Sequence, residues 1–304
     1  MELAVQTRGD WELALTTARW AEDRGLAALA LPDHYLERGD ATDRPAFDHL
    51  VHLAALARET TSLELVSLLS PVTFRHPAVY YKMGVTLDEV SDGRFTMGLG
   101  TGWLDEEFEL FGIPFPDLAT RFELLGEAMA YLYAAIAPEP RGFDGRHYRL
   151  ADFDSRPHPR NLRLLVGGGG KRKTPVLAGR FADEFNIYAC PPADYAAKRA
   201  LAMESAREAG RDPGAILMST AAPAIAAKSE SDYRRLLGLL ADRTGSSPER
   251  IETLYDERGL PHGSGAKPAE MLAALEEVGC RRFYPQMFLG NPTDFDLILD
   301  AYTY

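Results

Sequence analysis

The chain has 304 residues, 46% of them apolar and 10% aromatic, enough to bury the core of one large α/β domain, and 33 basic against 45 acidic residues leave a net charge of −12. That balance excludes general nucleic-acid or anionic-membrane binding, so any basic site must be local. Cys190 and Cys280 make neither a disulfide framework nor a metal spacing, and Met1 leads into Leu3–Gln6 without a basic or long apolar leader, so no metal site and a cytoplasmic protein are expected.

Leu3–Gln6 reads as a first strand. Asp10 then caps a helix with Ala14, Leu15, Ala18 and Ala21 on its apolar stripe and Gly25 at its end. Ala27–Leu31 is expected to be the second strand, running into Pro32-Asp33-His34. A helix through Leu50, Leu53, Ala54 and Ala57 leads to a third strand, Leu63–Leu69, which stops at Ser70-Pro71. Arg75-His76-Pro77 opens the next helix, with Pro77 in its first turn. Ser91-Asp92-Gly93 turns the chain into a fourth strand, Arg94–Gly100.

Residues 101–161 break this rhythm and are expected to be an insertion, holding a helix with Phe122, Leu125, Met129 and Leu132 and a loop from Gly142 to Arg149. Leu162–Val166 then reads as a buried strand that stops at Gly167, Gly168, Gly169 and Gly170. Thr174 and Pro175 predict the next helix start, as N-cap and first helical residue. Strands follow at Glu184–Tyr188, Ile216–Ala221 and Arg282–Phe288. The helices between them are expected at 193–209, at Ser229–Leu240 and from Pro268, and 244–265 is read as irregular. Eight strands alternating with helices predict an α/β fold, a (β/α)8 TIM-type barrel with insertions forming one domain over 1–304. A doubly wound open sheet is the alternative.

In a barrel the chemistry lies at the C-terminal ends of the strands. Strand, glycine loop and helix start, with Lys171, Arg172 and Lys173 on the loop, suit a phosphate: the bare backbone approaches closely and the helix start adds positive potential. The spacing fits neither the P-loop nor the Gly-x-Gly-x-x-Gly fingerprint. His34, after the second strand, has the chemistry to move a proton near neutral pH. Asp33 precedes it. Ser67 and Leu68 end the third strand, with Arg75 beyond, in reach of an anion or of a carboxylate. Gly98, Gly100 and Gly102 either leave room for something large and flat or let backbones pack closely. Trp103 and Glu107 follow them, and Asn186 lies near the end of the sixth strand. Gly93-Arg94 falls at the opposite end and reads as structural.

Pro32-Asp33-His34, Phe74-Arg75-His76-Pro77-Ala78 and Ser91-Asp92-Gly93-Arg94 through Gly98-Leu99-Gly100-Thr101-Gly102-Trp103 resemble the bacterial luciferase-like monooxygenase superfamily. Phe111-Gly112-Ile113-Pro114-Phe115-Pro116, Gly145-Arg146-His147-Tyr148, Gly167–Gly170 and Ala182-Asp183-Glu184-Phe185-Asn186 are similar to its coenzyme F420-dependent branch. The resemblance implies a TIM-type barrel, often dimeric, that binds F420 or FMN and a small-molecule substrate at the C-terminal face. It implies that Gly167–Gly170 with Lys171 or Lys173 hold the cofactor phosphate and that His34 sits near the ring. Asp33, Ser67, Leu68, Arg75, Gly100, Gly102 and Asn186 complete the expected cofactor site. A non-proline cis peptide in a bulge against the ring is expected at Ser67-Leu68. Where some members carry a glutamate directly after the Gly-x-Gly this chain has Trp103, which leaves Glu107 as the candidate acid.

The activity so implied is hydride transfer between the deazaflavin and an organic substrate. An FMN-dependent monooxygenase and a non-catalytic flavin-binding protein are the alternatives.

Overall fold

Alternation along a strand sends successive side chains to opposite faces. In β2 (Ala28–Leu31) it points Ala28 and Ala30 inward and Leu29 and Leu31 toward the helices. The same arithmetic runs through β1 (Glu2–Leu3 and Val5–Gln6), β3 (Glu64–Ser67), β4 (Phe95–Gly100), β5 (Arg163–Gly168), β6 (Glu184–Tyr188), β7 (Leu217–Pro223) and β8 (Arg282–Gln286). The computed structural model describes residues 1–36, 46–139, 141–154, 156–287 and 292–303. Each strand pairs in parallel with the next, and Leu3 against Phe283 and Gln6 against Gln286 close the ring. The expected (β/α)8 barrel is the observed fold.

The helices are α1 (Trp11–Asp23), α2 (His49–Glu59), α3 (Pro77–Val90), α4 (Asp105–Phe111), α5 (Leu118–Ile136), α6 (Lys173–Phe181), α7 (Pro192–Glu208), α8 (Glu230–Thr244), α9 (Pro248–Arg258), α10 (Lys267–Glu277) and α11 (Phe295–Ala301). Local signals set their ends: Asp10 accepts from Leu13 N (2.9 Å), and Gly25 leaves α1 with φ +66°. Within 101–161, α5 packs on α3 and α6 as a helix of the barrel layer, and the Gly142–Arg149 loop folds as a short hairpin, Phe143–Asp144 on Arg149–Leu150. The 244–265 stretch is not irregular. It holds α9, started by Ser247 and Pro248 and ended by Gly259 at φ +64°, and a strand, His262–Ser264, parallel to Ile225–Ala227. Phe288, the expected end of the last strand, lies outside the described residues. No helix among the described residues is long and apolar enough to cross a membrane.

Two apolar layers result. The larger lies between strands and helices; the smaller fills the barrel with Ala4, Ala28, Ala30, Val66, Leu68, Leu165, Ala221 and Tyr284. Polar groups close the N-terminal end. Arg282 meets Glu64 at 3.0 Å and Glu184 at 3.3 Å, and Tyr284 donates to Glu184 at 3.0 Å. Arg94 at that end donates to the carbonyls of Ala57 and Leu63, the structural role expected of it.

Burial pushes the Glu184 carboxyl up to about 7 against the pull of Arg282. A carboxyl whose folded pKa exceeds its unfolded value binds more protons when folded, so it destabilises the protein as pH rises from 4.5 to about 7. Glu184→Gln is expected to flatten that decline, read by urea unfolding at points across the window. An unchanged slope would show the carboxyl ionised throughout.

Candidate active site

Beyond β2, the chain carries His34 to the C-terminal mouth of the barrel, and beyond β4 it enters α4 with Glu107 in the first turn. The two meet across 73 residues of sequence: His34 Nδ1 lies 3.1 Å from Glu107 Oε1. Glu107 is wholly buried, and its second oxygen accepts from Tyr35 N at 2.9 Å. His34 stays partly open, its ring edge-on to Trp103 at 5.5 Å. With Nδ1 taken, Nε2 is the nitrogen left for a substrate. Trp103 is exposed, and Tyr35 stacks on Phe74 at 4.3 Å, giving the mouth an aromatic rim.

Asp33 and Arg75 were both expected to face a cofactor; instead they face each other. Arg75 donates to Asp33 Oδ2 and to Asp48 Oδ2 (2.6 Å), and Ser70 Oγ donates to Asp33 at 2.5 Å. Asp33 is wholly buried and the Arg75 side chain nearly so, which leaves this guanidinium spent on two carboxylates. Burial alone would raise the Asp33 carboxyl, but His49, Arg75 and Ser70 outweigh it and hold it well below the usual carboxylate range. His49, absent from the expected site, lies with Nδ1 3.0 Å from Asp33 Oδ1, off the line of a hydrogen bond, and with Nε2 2.7 Å from Ser67 Oγ. Ser67 points outward, between barrel and helices, where Tyr80 OH lies 2.9 Å from it. Its side chain cannot line the mouth.

The non-proline cis peptide falls at Leu68-Leu69, one residue beyond the expected Ser67-Leu68. Leu68 fills the barrel top, and its carbonyl accepts from Gln6 Nε2 at 2.6 Å, with Gln286 behind Gln6. Leu69 lies against the glycines. A Cβ at Gly98 would collide with the Ser67 carbonyl, and Cβ atoms at Gly100 and Gly167 would sit 3.2 Å from Leu69 Cδ1. Close packing around this bulge is therefore what Gly98, Gly100 and Gly167 permit. Gly102 has φ +76° and is boxed in by Pro71, Phe108 and Phe115, with Arg121 donating to its carbonyl at 2.7 Å. Asn186 is buried and donates to Ser219 Oγ at 2.9 Å.

The glycine loop divides in two. Gly167 packs on Asn186 and Gly170 on Thr174, whereas a Cβ at Gly168 (φ +131°) or Gly169 would meet nothing within 4 Å among the described residues. β5 runs on through Gly168, and α6 starts at Lys173, with Arg172 as N-cap. Thr174 is thus a buried second-position residue, and Pro175 stands third, where a missing N–H is still harmless. Among the described residues no side chain caps α6. Its first amides, the bare backbone of Gly168-Gly169 and the exposed Lys171 and Arg172 fit an anionic phosphate. Lys173 leans over Phe122, Nζ 5.1 Å from the ring centre.

The model of the family described as luciferase-like monooxygenase matches residues 2–290. The chain belongs to that family. A luciferase-like relative, the F420-dependent glucose-6-phosphate dehydrogenase of Kineococcus radiotolerans, is 31% identical over 169 residues, 54% of this chain and 49% of the relative. The pyrimidine monooxygenase RutA of Pseudomonas savastanoi is 30% identical over 133 residues, 43% of this chain and 37% of that protein. The match therefore spans about half or less of these curated relatives. Among solved structures, the F420-dependent tetrahydromethanopterin reductase of Methanopyrus kandleri superposes with a TM-score of 0.74 at 17% identity, covering 99% of both chains, a likeness of fold.

Proposed function

We propose that this luciferase-like protein is an F420-dependent oxidoreductase acting on a small organic substrate, with His34 moving the proton that accompanies hydride transfer. The His34–Glu107 pair carries the reading. A buried carboxylate fixes Nδ1 as the protonated nitrogen and turns Nε2 to the substrate, where it takes the proton from a hydroxyl as the carbon gives up hydride, or returns it in reverse. Glu107 acts through His34 as a positioning residue.

The backbone at Gly168-Gly169, the α6 amides and Lys171 would hold the cofactor phosphate. Bound there, the deazaflavin supplies the hydride acceptor or donor. The anionic tail that F420 carries beyond its phosphodiester favours it over FMN, because Lys171, Arg172 and Lys173 gather positive charge on an otherwise acidic chain. The same reading includes a cytoplasmic homodimer, in which a second copy covers Val51 of α2 and Val79 of α3, exposed on adjacent helices.

Trp103 at the mouth makes fluorescence quenching a direct test. Apo-protein titrated with F420 and separately with FMN is expected to bind F420 more tightly. The loaded enzyme is then screened with glucose 6-phosphate and a panel of alcohols, following the deazaflavin's visible absorbance. Tighter FMN binding, with oxygen consumed when a pyrimidine is added to reduced FMN, would replace this reading with the monooxygenase one. Binding of F420 without redox exchange across the panel would replace it with a carrier.

A further inference from the structure

At the opposite end of the barrel, a cleft of about 980 Å³ including its open mouth lies between α7 and the turns that lead into β7 and β8. Its floor is Met203, Ile216 and Met218, all buried. Arg199, Met203 and Arg207 are four residues apart and share one face of α7. Arg281 reaches the cleft from the turn before β8.

Several exposed arginines sit on carboxylates, Arg19 on Glu59, Arg146 on Glu123, Arg160 on Glu89 and Asp92, Arg234 on Glu230 and Glu252; the three at the cleft do not, and they share one concave surface. Among the described residues, Arg199 and Arg207 have no ion pair or hydrogen-bond acceptor, and Arg281 donates only to the carbonyls of Glu276 and Cys280. Arg199 lies against Gly279, and its Nε is buried without an acceptor. Asp212 at the rim accepts from Gly214 N (2.9 Å) and pairs with none of the three. Three like charges thus line one cleft without a carboxylate partner, on a chain of net charge −12, and one of them keeps a buried Nε without an acceptor.

We propose that this cleft binds a di- or polyphosphate group, at a site separate from the barrel mouth. Guanidinium groups offer planar forks of donors, and forks from two sides of the cleft, α7 and the turn before β8, suit the splayed oxygens of phosphate better than a single flat carboxylate. The floor of methionine and isoleucine gives the rest of an organic phosphate an apolar surface.

The test uses the full chain and inorganic pyrophosphate, with phenylglyoxal modification of arginines mapped by peptide mass. Pyrophosphate is expected to protect Arg199, Arg207 and Arg281 while leaving Arg19 and Arg146 reactive. Calorimetric titration of the Arg199→Gln/Arg207→Gln variant is expected to lose a binding event that the wild type shows and that Lys171→Gln/Arg172→Gln, altered at the glycine loop, retains. Its affinity should fall on the order of ten-fold or more. Equal reactivity of the cleft arginines with and without pyrophosphate would overturn the proposal. So would an unchanged titration in the cleft variant, or protection by citrate as strong as by pyrophosphate.

Discussion

His34→Ala is expected to lower kcat by about 10²- to 10⁴-fold on the substrate found by the screen, with cofactor binding unchanged. On the proposed function the imidazole is the side chain at the mouth that moves the proton, and it is part-buried with one nitrogen already engaged. Added imidazole should recover part of the lost rate, since the cavity left by the truncation lies at the open end. Glu107→Gln separates positioning from chemistry. It keeps the packing of a wholly buried side chain but removes the charge and leaves one acceptor oxygen for the two donors, His34 and Tyr35 N, so kcat should fall while KM stays. In the His34→Ala background the same substitution should have almost no further effect, because a residue acting through another has nothing left to position. Additive losses would mean that Glu107 serves the reaction by some other route, and an unchanged kcat in His34→Ala would remove the histidine from the mechanism.

The alternation of strands and helices was legible because it rests on local signals. Caps such as Asp10, Ser229 and Pro77 act within a turn of themselves, and the structure keeps them. Ser247, Pro248 and Gly259 carry the same kind of signal for α9, and polar Thr244–Ser247 masked it by resembling the start of a long loop. The site was legible only as separate residues. His34 and Glu107 were each candidates, but nothing local says that they meet across 73 residues. His49 looked like an ordinary helix residue because its partners, Asp33 and Ser67, come from two other segments. The glycines allowed two readings, room for a ligand and close packing. Gly-x-Gly at the end of β4 looks like a floor cleared for a ligand, and part of that clearance accommodates the chain's own Leu69. Of Gly98, Gly100, Gly102 and Gly167–Gly170, Gly168 and Gly169 alone face open space among the described residues, a distinction that depends on what approaches each Cα from elsewhere.

Arg75→Met is expected to destabilise the protein by about 3–5 kcal/mol, because it takes the permanently charged partner from a wholly buried carboxylate, Asp33. The two readings of Arg75 diverge here. A cofactor ligand would lose F420 affinity at unchanged stability, whereas a structural cation loses stability first, and the two carboxylates already on the guanidinium favour the second outcome. The pH dependence gives an independent check. Asp33 is held below its unfolded value of 3.8, so the stabilisation it brings is complete above that pH and is lost progressively as pH falls below it toward the lower folded value. Wild-type urea midpoints should therefore drop steeply on the acid side, and the drop should shrink in Arg75→Met, where His49 and Ser70 alone favour the charged form of the carboxyl. Asp33→Asn in the Arg75→Met background should recover stability, since removing the second charge relieves what the first left behind. A double variant no more stable than Arg75→Met would mean that the loss comes from Asp48 and the start of α2, where Asp48 also caps Leu50 and Val51. Because Asp33 adjoins His34 and Ser70 follows the Leu68-Leu69 bulge, the same variants should lose turnover in step with stability, the behaviour of a frame that aims the site without touching what it binds.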